Sequence, residues 1–290
     1  MNQSESFFVP LTKMETIIRS FITSIALLIS CSTVFAQQPI NYDLESPEEV
    51  FLLPEYLEEV SALSLYAPNQ LAMLNDEHGR MYVYDIVEKR IVHRVRFEGK
   101  GDFEGIERVG DFVYAIKSNG KLYRFNVNME GVVQEIETPF SSENNVEGLG
   151  YNPKTNHLLV ALKDKGDLED VEVKGKAVYG YGISAEKFLK LPLFVLSDKE
   201  VERVVGSKFK FKPSGIAVHP ITNETFVLAA NQRALLFFDT EGKPKHLIRL
   251  RTSIFPQPEG ITFANNGDFF ISNEVEGEGG TILKFSRLNN

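Results

Sequence analysis

One four-residue theme recurs five times in this chain: Ser61-Ala62-Leu63-Ser64, Glu104-Gly105-Ile106-Glu107, Glu147-Gly148-Leu149-Gly150, Ser214-Gly215-Ile216-Ala217 and Glu259-Gly260-Ile261-Thr262. Successive copies lie 43, 43, 67 and 45 residues apart. Self-similarity at such a period marks one supersecondary unit that buries its apolar faces against its own copies. A turn follows each copy, as in Tyr151-Asn152-Pro153 or Ala264-Asn265-Asn266-Gly267, and then an alternating apolar run at residues 71–74, 112–116, 158–162, 225–229 and 269–272. A third run follows, as at 80–84 and 121–125, and a fourth at 91–97, 132–137, 191–196 and 246–250. Four short strands per repeat, rich in β-branched and aromatic residues between Gly/Asn/Asp turns, is the sequence form of a propeller blade. An open β-sandwich could use the same strands, but the regular spacing favours a ring.

The predicted fold is therefore all-β, a five-bladed β-propeller. The last copy runs out after its third strand, at residues 281–285, while residues 48–53 read as a strand without a partner. Pairing the two predicts a ring closed by an N-terminal strand completing the last blade, which removes two exposed edges. The 67-residue copy carries about 22 extra residues, mostly at 164–176 and 197–209, in charged text without the residue order of an EF-hand loop.

Residues 1–36 read as an address and 37–290 as the propeller domain. Arg19 precedes apolar residues 21–29, and Val34-Phe35-Ala36 offers a small-residue cleavage site, the pattern of a secretory signal peptide. The apolar run is short for a membrane span. Leu28-Ile29-Ser30-Cys31 also has the form of a lipobox, which competes with cleavage after Ala36. Translation could begin at Met1 or at Met14. In each case the expectation is an exported protein, periplasmic, membrane-attached or extracellular, that touches a membrane only through its N-terminus if lipidated or uncleaved, and is a monomer.

The domain keeps the whole net charge of −9. Without basic runs to displace counterions, nucleic acid is excluded as a partner. Cys31 is the sole cysteine, which excludes a disulfide scaffold, Cys-ligated zinc or a cysteine nucleophile in the domain.

In a propeller the first strand of each blade lines the channel. Ser61, Glu104, Glu147, Ser214 and Glu259 are thus expected around one mouth. The second-strand ends Asn75-Asp76-Glu77, Lys117-Ser118, Lys163-Asp164, Ala230-Asn231 and Asn273-Glu274 point to the same place. The glycine after each of the three glutamates removes a side chain where backbones crowd. At roughly 6 Å and an effective dielectric near 20, each carboxylate pair repels by about 2–3 kcal/mol. Protons, lysines or a cation must offset that. Oxygen donors without His or Cys select calcium or magnesium, and calcium tolerates irregular ligands drawn from different blades. Two readings stand open. Either Glu104, Glu147 and Glu259 hold a cation, with Asn273, Asn75 and Asp76 in reserve, or Lys117 and Lys163 neutralise Glu104 and Glu147 in a salt-bridge network.

Several longer phrases carry a resemblance: Gly101-Asp102-Phe103-Glu104-Gly105-Ile106, Asn144-Asn145-Val146-Glu147-Gly148-Leu149, Lys212-Pro213-Ser214-Gly215-Ile216-Ala217-Val218-His219-Pro220, and Phe255-Pro256-Gln257-Pro258-Glu259-Gly260-Ile261 with Ser272-Asn273-Glu274. Over about residues 45–287 the chain resembles the SdiA-regulated (YjiK-like) bacterial family. The resemblance implies an exported or membrane-attached five-bladed propeller with calcium as its cofactor, and no enzymatic activity that could be carried over. Typical members begin the first repeat with Ser-Gly, where this chain has Ala62.

The expected function is a non-catalytic cell-envelope module that binds calcium at the channel mouth and takes a ligand or protein partner on the loops of that face. The alternative is a metal-dependent hydrolase of the phytase-like or lactonase-like propeller type, with Lys117 and Lys163 steadying developing negative charge. No Gly-x-Ser-x-Gly elbow is present, and His78, His93, His157, His219 and His246 are scattered over turns and outer strands. Tyr82, Tyr84, Tyr123, Tyr179 and Tyr181 on third strands suit either an aromatic outer surface or the packed side of a buried strand.

Overall fold

The computed structural model describes residues 41–288 except 130, 276 and 278; the signal peptide, the lipobox at Cys31 and both start sites lie outside the described residues. Strand β1 (Glu49–Leu52) comes first, followed by a 3₁₀ turn (Glu55–Leu57). The first sheet is β2 (Val60–Ala67), β3 (Gln70–Asn75), β4 (His78–Asp85) and β5 (Arg90–Lys100), and the second is β6 (Phe103–Val109), β7 (Phe112–Lys117), β8 (Leu122–Asn126) and β9 (Val133–Ile136). In the third, β10 (Val146–Asn152), β11 (His157–Leu162) and β12 (Lys176–Gly182) are followed by β13 (Lys187–Phe188) and β14 (Phe194–Leu196), which share the outer side of β12. The fourth is β15 (Gly215–Val218), β16 (Thr225–Ala229), β17 (Ala234–Phe238) and β18 (Pro244–Arg249). The fifth is β19 (Pro258–Phe263), β20 (Phe269–Asn273) and β21 (Thr281–Phe285), with β1 antiparallel to β21 and Phe51 opposite Ile282.

The inner strands neighbour one another in the order β2, β6, β10, β15, β19 and back to β2. That closed cycle makes the protein a five-bladed β-propeller. Each blade is covered on both faces, so alternation divides its apolar residues between two neighbours. On β7, Val113 and Ala115 join the core shared with blade one, whereas Tyr114 and Ile116 join the core shared with blade three. On β11, Leu158 and Val160 face blade two, and Leu159 and Ala161 face blade four. Between blades four and five the core is aromatic, with Phe226, Phe263 and Phe269 within 5.7 Å of one another by ring centroid. Residues 41–44 reach this core through Tyr42, whose hydroxyl meets His219 Nε2 at 2.9 Å. Every sheet and core among the described residues lies within one compact unit, Asn41–Asn290.

The five third-strand tyrosines are all buried, at 5% exposure or less. This corrects the outer-surface reading: a third strand is sandwiched between blades, so its aromatic residues fill the interblade cores. The extra residues of the third repeat include a helix that strand periodicity did not predict, α1 (Asp198–Val205). Its start has the Ser-x-x-Glu sequence of a capping box: Ser197 Oγ accepts from the Glu200 amide and donates to the Glu200 carboxylate at 2.8 Å. It ends at Gly206, at φ 75°, and buries Val201. Among the described residues, no helix is long and apolar enough to cross a membrane.

Candidate functional site

Local irregularity aims the axial side chains. In β2, β6, β10 and β19 the pairing with the next strand shifts register at Val60/Ala62, Phe103/Gly105, Val146/Gly148 and Pro258/Ile261. Ser61, Glu104, Glu147 and Glu259 lie inside these β-bulges, left out of the ladder and turned away from the sheet. The glycines after Glu104, Ser214 and Glu259 are required by close approach rather than by φ. A Cβ on Gly215 would lie 2.7 Å from the Glu259 carbonyl oxygen, and one on Gly260 would lie 2.7 Å from the Leu63 nitrogen. On the axis, Ser61, Glu104, Ser214 and Glu259 border a space of about 10 Å³, near the size of a single water.

Register also sorts the second-strand ends. Asn75, Lys117 and Asn273 stand opposite Val60, Phe103 and Pro258. The residues one further on, Asp76, Ser118, Lys163 and Glu274, donate their amides to the carbonyls of Glu59, Asp102, Asn145 and Gln257, just ahead of the inner strands. The two serines close local bonds: Ser61 Oγ donates to the Phe103 carbonyl at 2.7 Å, and Ser214 Oγ accepts from the Ala230 amide at 3.0 Å.

The carboxylates that converge feel one another. Burial pushes the Glu104 carboxyl up to about 10, reinforced by Glu147, Asp102 and Glu259. Burial pushes Glu259 up to about 8, with Glu274, Glu147 and Asp76 adding to it and Lys163 opposing. Glu147 is also raised by burial, against the pull of Lys163, whose Nζ lies 2.9 Å from its carboxylate. Asp76 is raised to about 6 and Glu274 to about 7, each by burial first and then by acidic neighbours, including Glu59. Burial works against the Lys163 ammonium, yet Glu147, Glu259 and Glu104 raise it above its usual value, so it stays charged.

Of the six residues expected to ligate, Glu104, Glu147, Glu259 and Asp76 come together. Asp76 Oδ1 is buried without a hydrogen-bond partner. Asn75 Oδ1 instead accepts from the Glu77 amide at 3.1 Å. Asn273 is wholly buried at the end of β20, its Nδ2 at 3.4 Å from Ile254 O and Thr281 Oγ1 and its Oδ1 unpartnered. Lys117 does not neutralise Glu104. Its Nζ lies 4.8 Å from the centroid of Phe103, the residue it opposes, and donates to the Lys100 carbonyl at 3.4 Å. Half of the expected salt-bridge network is thus present, as Lys163–Glu147. Glu59 and Asp102, which motif reading passed over, lie two residues before Ser61 and Glu104.

The oxygen-only donor set and the orphaned Asp76 Oδ1 fit a hard cation. The side chains are not closed around a point: among the described residues, no three His, Cys, Asp or Glu are assembled to hold a metal ion. Ionised together they would repel. The site can hold protons, gather around a cation, or do both at different pH.

Comparison with curated protein sequences finds no match. Among solved structures, the chain is similar to a glutaminyl cyclase of Myxococcus xanthus at 12% identity and TM-score 0.58, and to a luciferin-regenerating enzyme at 11% identity and TM-score 0.50. In both, 83% of this chain and 95% of the other are covered; at these identities the likeness is one of fold. The sequence itself matches the SdiA-regulated family over residues 52–276, and the chain belongs to that family.

Proposed function

We propose that this propeller is an exported binding module that holds a calcium ion at the acidic channel mouth and acts without catalysis, presenting the loops of that face to a ligand or partner. The supporting observation is the convergence of Glu104, Glu147, Glu259 and Asp76, with an orphaned oxygen on Asp76. Such a group is costly as bare anions and suited to a hard cation. These four residues would hold the ion; Glu274, Asp102 and Glu59 stand near as further oxygen donors, and Lys163 holds Glu147 in place. Bound calcium would supply positive charge that joins blades one, two, three and five.

Isothermal titration of the chelated protein with calcium, alongside Glu259→Gln, tests this. The expected result is a stoichiometric site, weakened in the variant, and a gain of about 2.7 kcal/mol at a hundredfold excess over Kd. No heat, and no shift in melting temperature, would refute it. One observation favours a second reading, a metal-dependent hydrolase: Glu274, raised to about 7 by burial, is poised as a general base at neutral pH. Both solved neighbours are named as enzymes. Turnover of phosphate esters or lactones that requires calcium and is lost in Glu274→Gln would establish that reading over the first.

A further inference from the structure

The outer flank of blade one has a chemistry opposite to that of the mouth. On β4 and β5 the register sets Tyr82 opposite Arg94 and Arg80 opposite Arg96. Alternation places these four on one face, and Tyr82 identifies it, since its ring packs in the core shared with blade five. Two arginines directly opposed across strands repel. Among the described residues, no carboxylate pairs with Arg80, Arg94 or Arg96: Arg94 donates to the Tyr56 hydroxyl at 2.5 Å, and Arg96 Nε to the Glu98 carbonyl at 3.4 Å. Nearby Lys89 pairs with Glu49 and Arg90 with Glu88, so those carboxylates are already matched.

Large apolar side chains stand exposed beside this charge. Leu52 is 77% exposed and Tyr56 45%. Leu52, Tyr56, Lys89, Arg90 and Arg94 line one groove of about 360 Å³ between the outer edges of blades five and one. Charges on an edge strand are ordinary protection against edge pairing. That purpose calls for neither opposed arginines nor an exposed leucine beside Arg94. Cationic groups around protruding apolar and aromatic side chains are what a headgroup layer over acyl chains recognises. The chain carries a net charge of −9, so the flank is a local reversal of sign.

From this placement we infer that the blade-one flank, Arg80, Arg94 and Arg96 around Leu52 and Tyr56, docks the propeller on an anionic lipid bilayer. The contact is independent of the channel mouth and of any anchor in residues 1–40.

The test uses residues 41–290, which contain every sheet and core of the fold, with vesicles of phosphatidylcholine alone or mixed with phosphatidylglycerol. Cosedimentation is expected only with the mixed vesicles and should weaken as salt rises. At about fivefold per arginine, the triple variant Arg80→Gln, Arg94→Gln, Arg96→Gln should bind about a hundredfold more weakly. Leu52→Ser, at a solvent-facing position, should also weaken binding while leaving the thermal melt unchanged. Equal binding to phosphatidylcholine alone, no binding to mixed vesicles, or mixed-vesicle binding by a folded triple variant at wild-type strength would each overturn the inference. So would capture of inorganic phosphate without any vesicle binding, which would mark a soluble-anion site.

Discussion

Raising the pH of the metal-free protein from 5 to 7 is expected to destabilise it, and Glu104 sets the scale. Its carboxyl ionises near its ordinary 4.5 in the unfolded chain and near 10 in the folded one. Between those values the folded state holds the extra proton, so the free energy of unfolding falls as pH rises. The stabilisation is complete below the unfolded value and is lost progressively above it. By pH 7 the loss is about 3 kcal/mol, at 1.36 kcal/mol for each pH unit travelled. For a domain of this size that lowers the melting temperature by about 6–12 °C. Glu259, raised to about 8 by burial, works in the same direction. Glu104→Gln keeps the shape and has no proton to release, so its slope between pH 5 and 7 should be shallower by about the Glu104 share. Differential scanning calorimetry in chelator, on wild type and variant, measures both slopes. Calcium should oppose the wild-type slope, because it binds the ionised carboxylates and displaces their protons. A wild-type melting temperature that is flat or rises from pH 5 to 7 in chelator would refute the reasoning, as would a variant with an unchanged slope.

Lys163→Met strands Glu147 beside its acidic neighbours and should cost about 3–5 kcal/mol at neutral pH, and less at pH 5, in urea unfolding. Gly260→Ala drives a Cβ to 2.7 Å from the Leu63 nitrogen, so a loss of about 1–3 kcal/mol is expected in the same assay; Gly99→Ala, with nothing within 4 Å, is the control that should stay near wild type. Tyr42→Phe removes the bond to His219 Nε2 and should destabilise by about 1–3 kcal/mol, with faster amide exchange at residues 41–44 than elsewhere.

The blade count and strand order were legible because two independent periods are written in the text. The repeat near 43 residues marks the blades, and the alternation within each run marks strands covered on both faces. The helix Asp198–Val205 carried a signal of a different kind, a capping box and a C-terminal glycine, in a stretch where strand periodicity offers nothing. The basic flank was harder to see. Arg80 and Arg96 are sixteen positions apart, and only the β4–β5 register makes them cross-strand partners.

At the mouth the text fails for one physical reason. Alternation assigns faces by counting in twos, and a β-bulge inserts a residue into the count where the chemistry sits. Lys117 and Glu104 look like natural partners when matched by repeat, yet the ladder pairs Lys117 with Phe103 and leaves Glu104 over. The same register explains why Lys163 succeeds. Leu162 pairs with Val146 as Lys117 pairs with Phe103, so Lys163 occupies the position of Ser118, one step further on, and reaches Glu147. Counted from the bulge, that position carries Asp76, Ser118, Lys163, Ala230 and Glu274 around the ring. Blades five and one therefore bring a carboxylate, blade three brings the ammonium, and blades two and four bring no charge. A cation entering the mouth would meet acid on the side of blades five and one, and the fixed positive charge of blade three opposite. Ser118 and Ala230 flank Lys163 from the two neighbouring blades, so Ser118→Asp and Ala230→Asp should each chiefly form a salt bridge with Lys163. Asp76→Asn, on the acid side, should instead weaken calcium binding in titration calorimetry; a gain in affinity from either Asp substitution as large as the loss from Asp76→Asn would contradict this polarity.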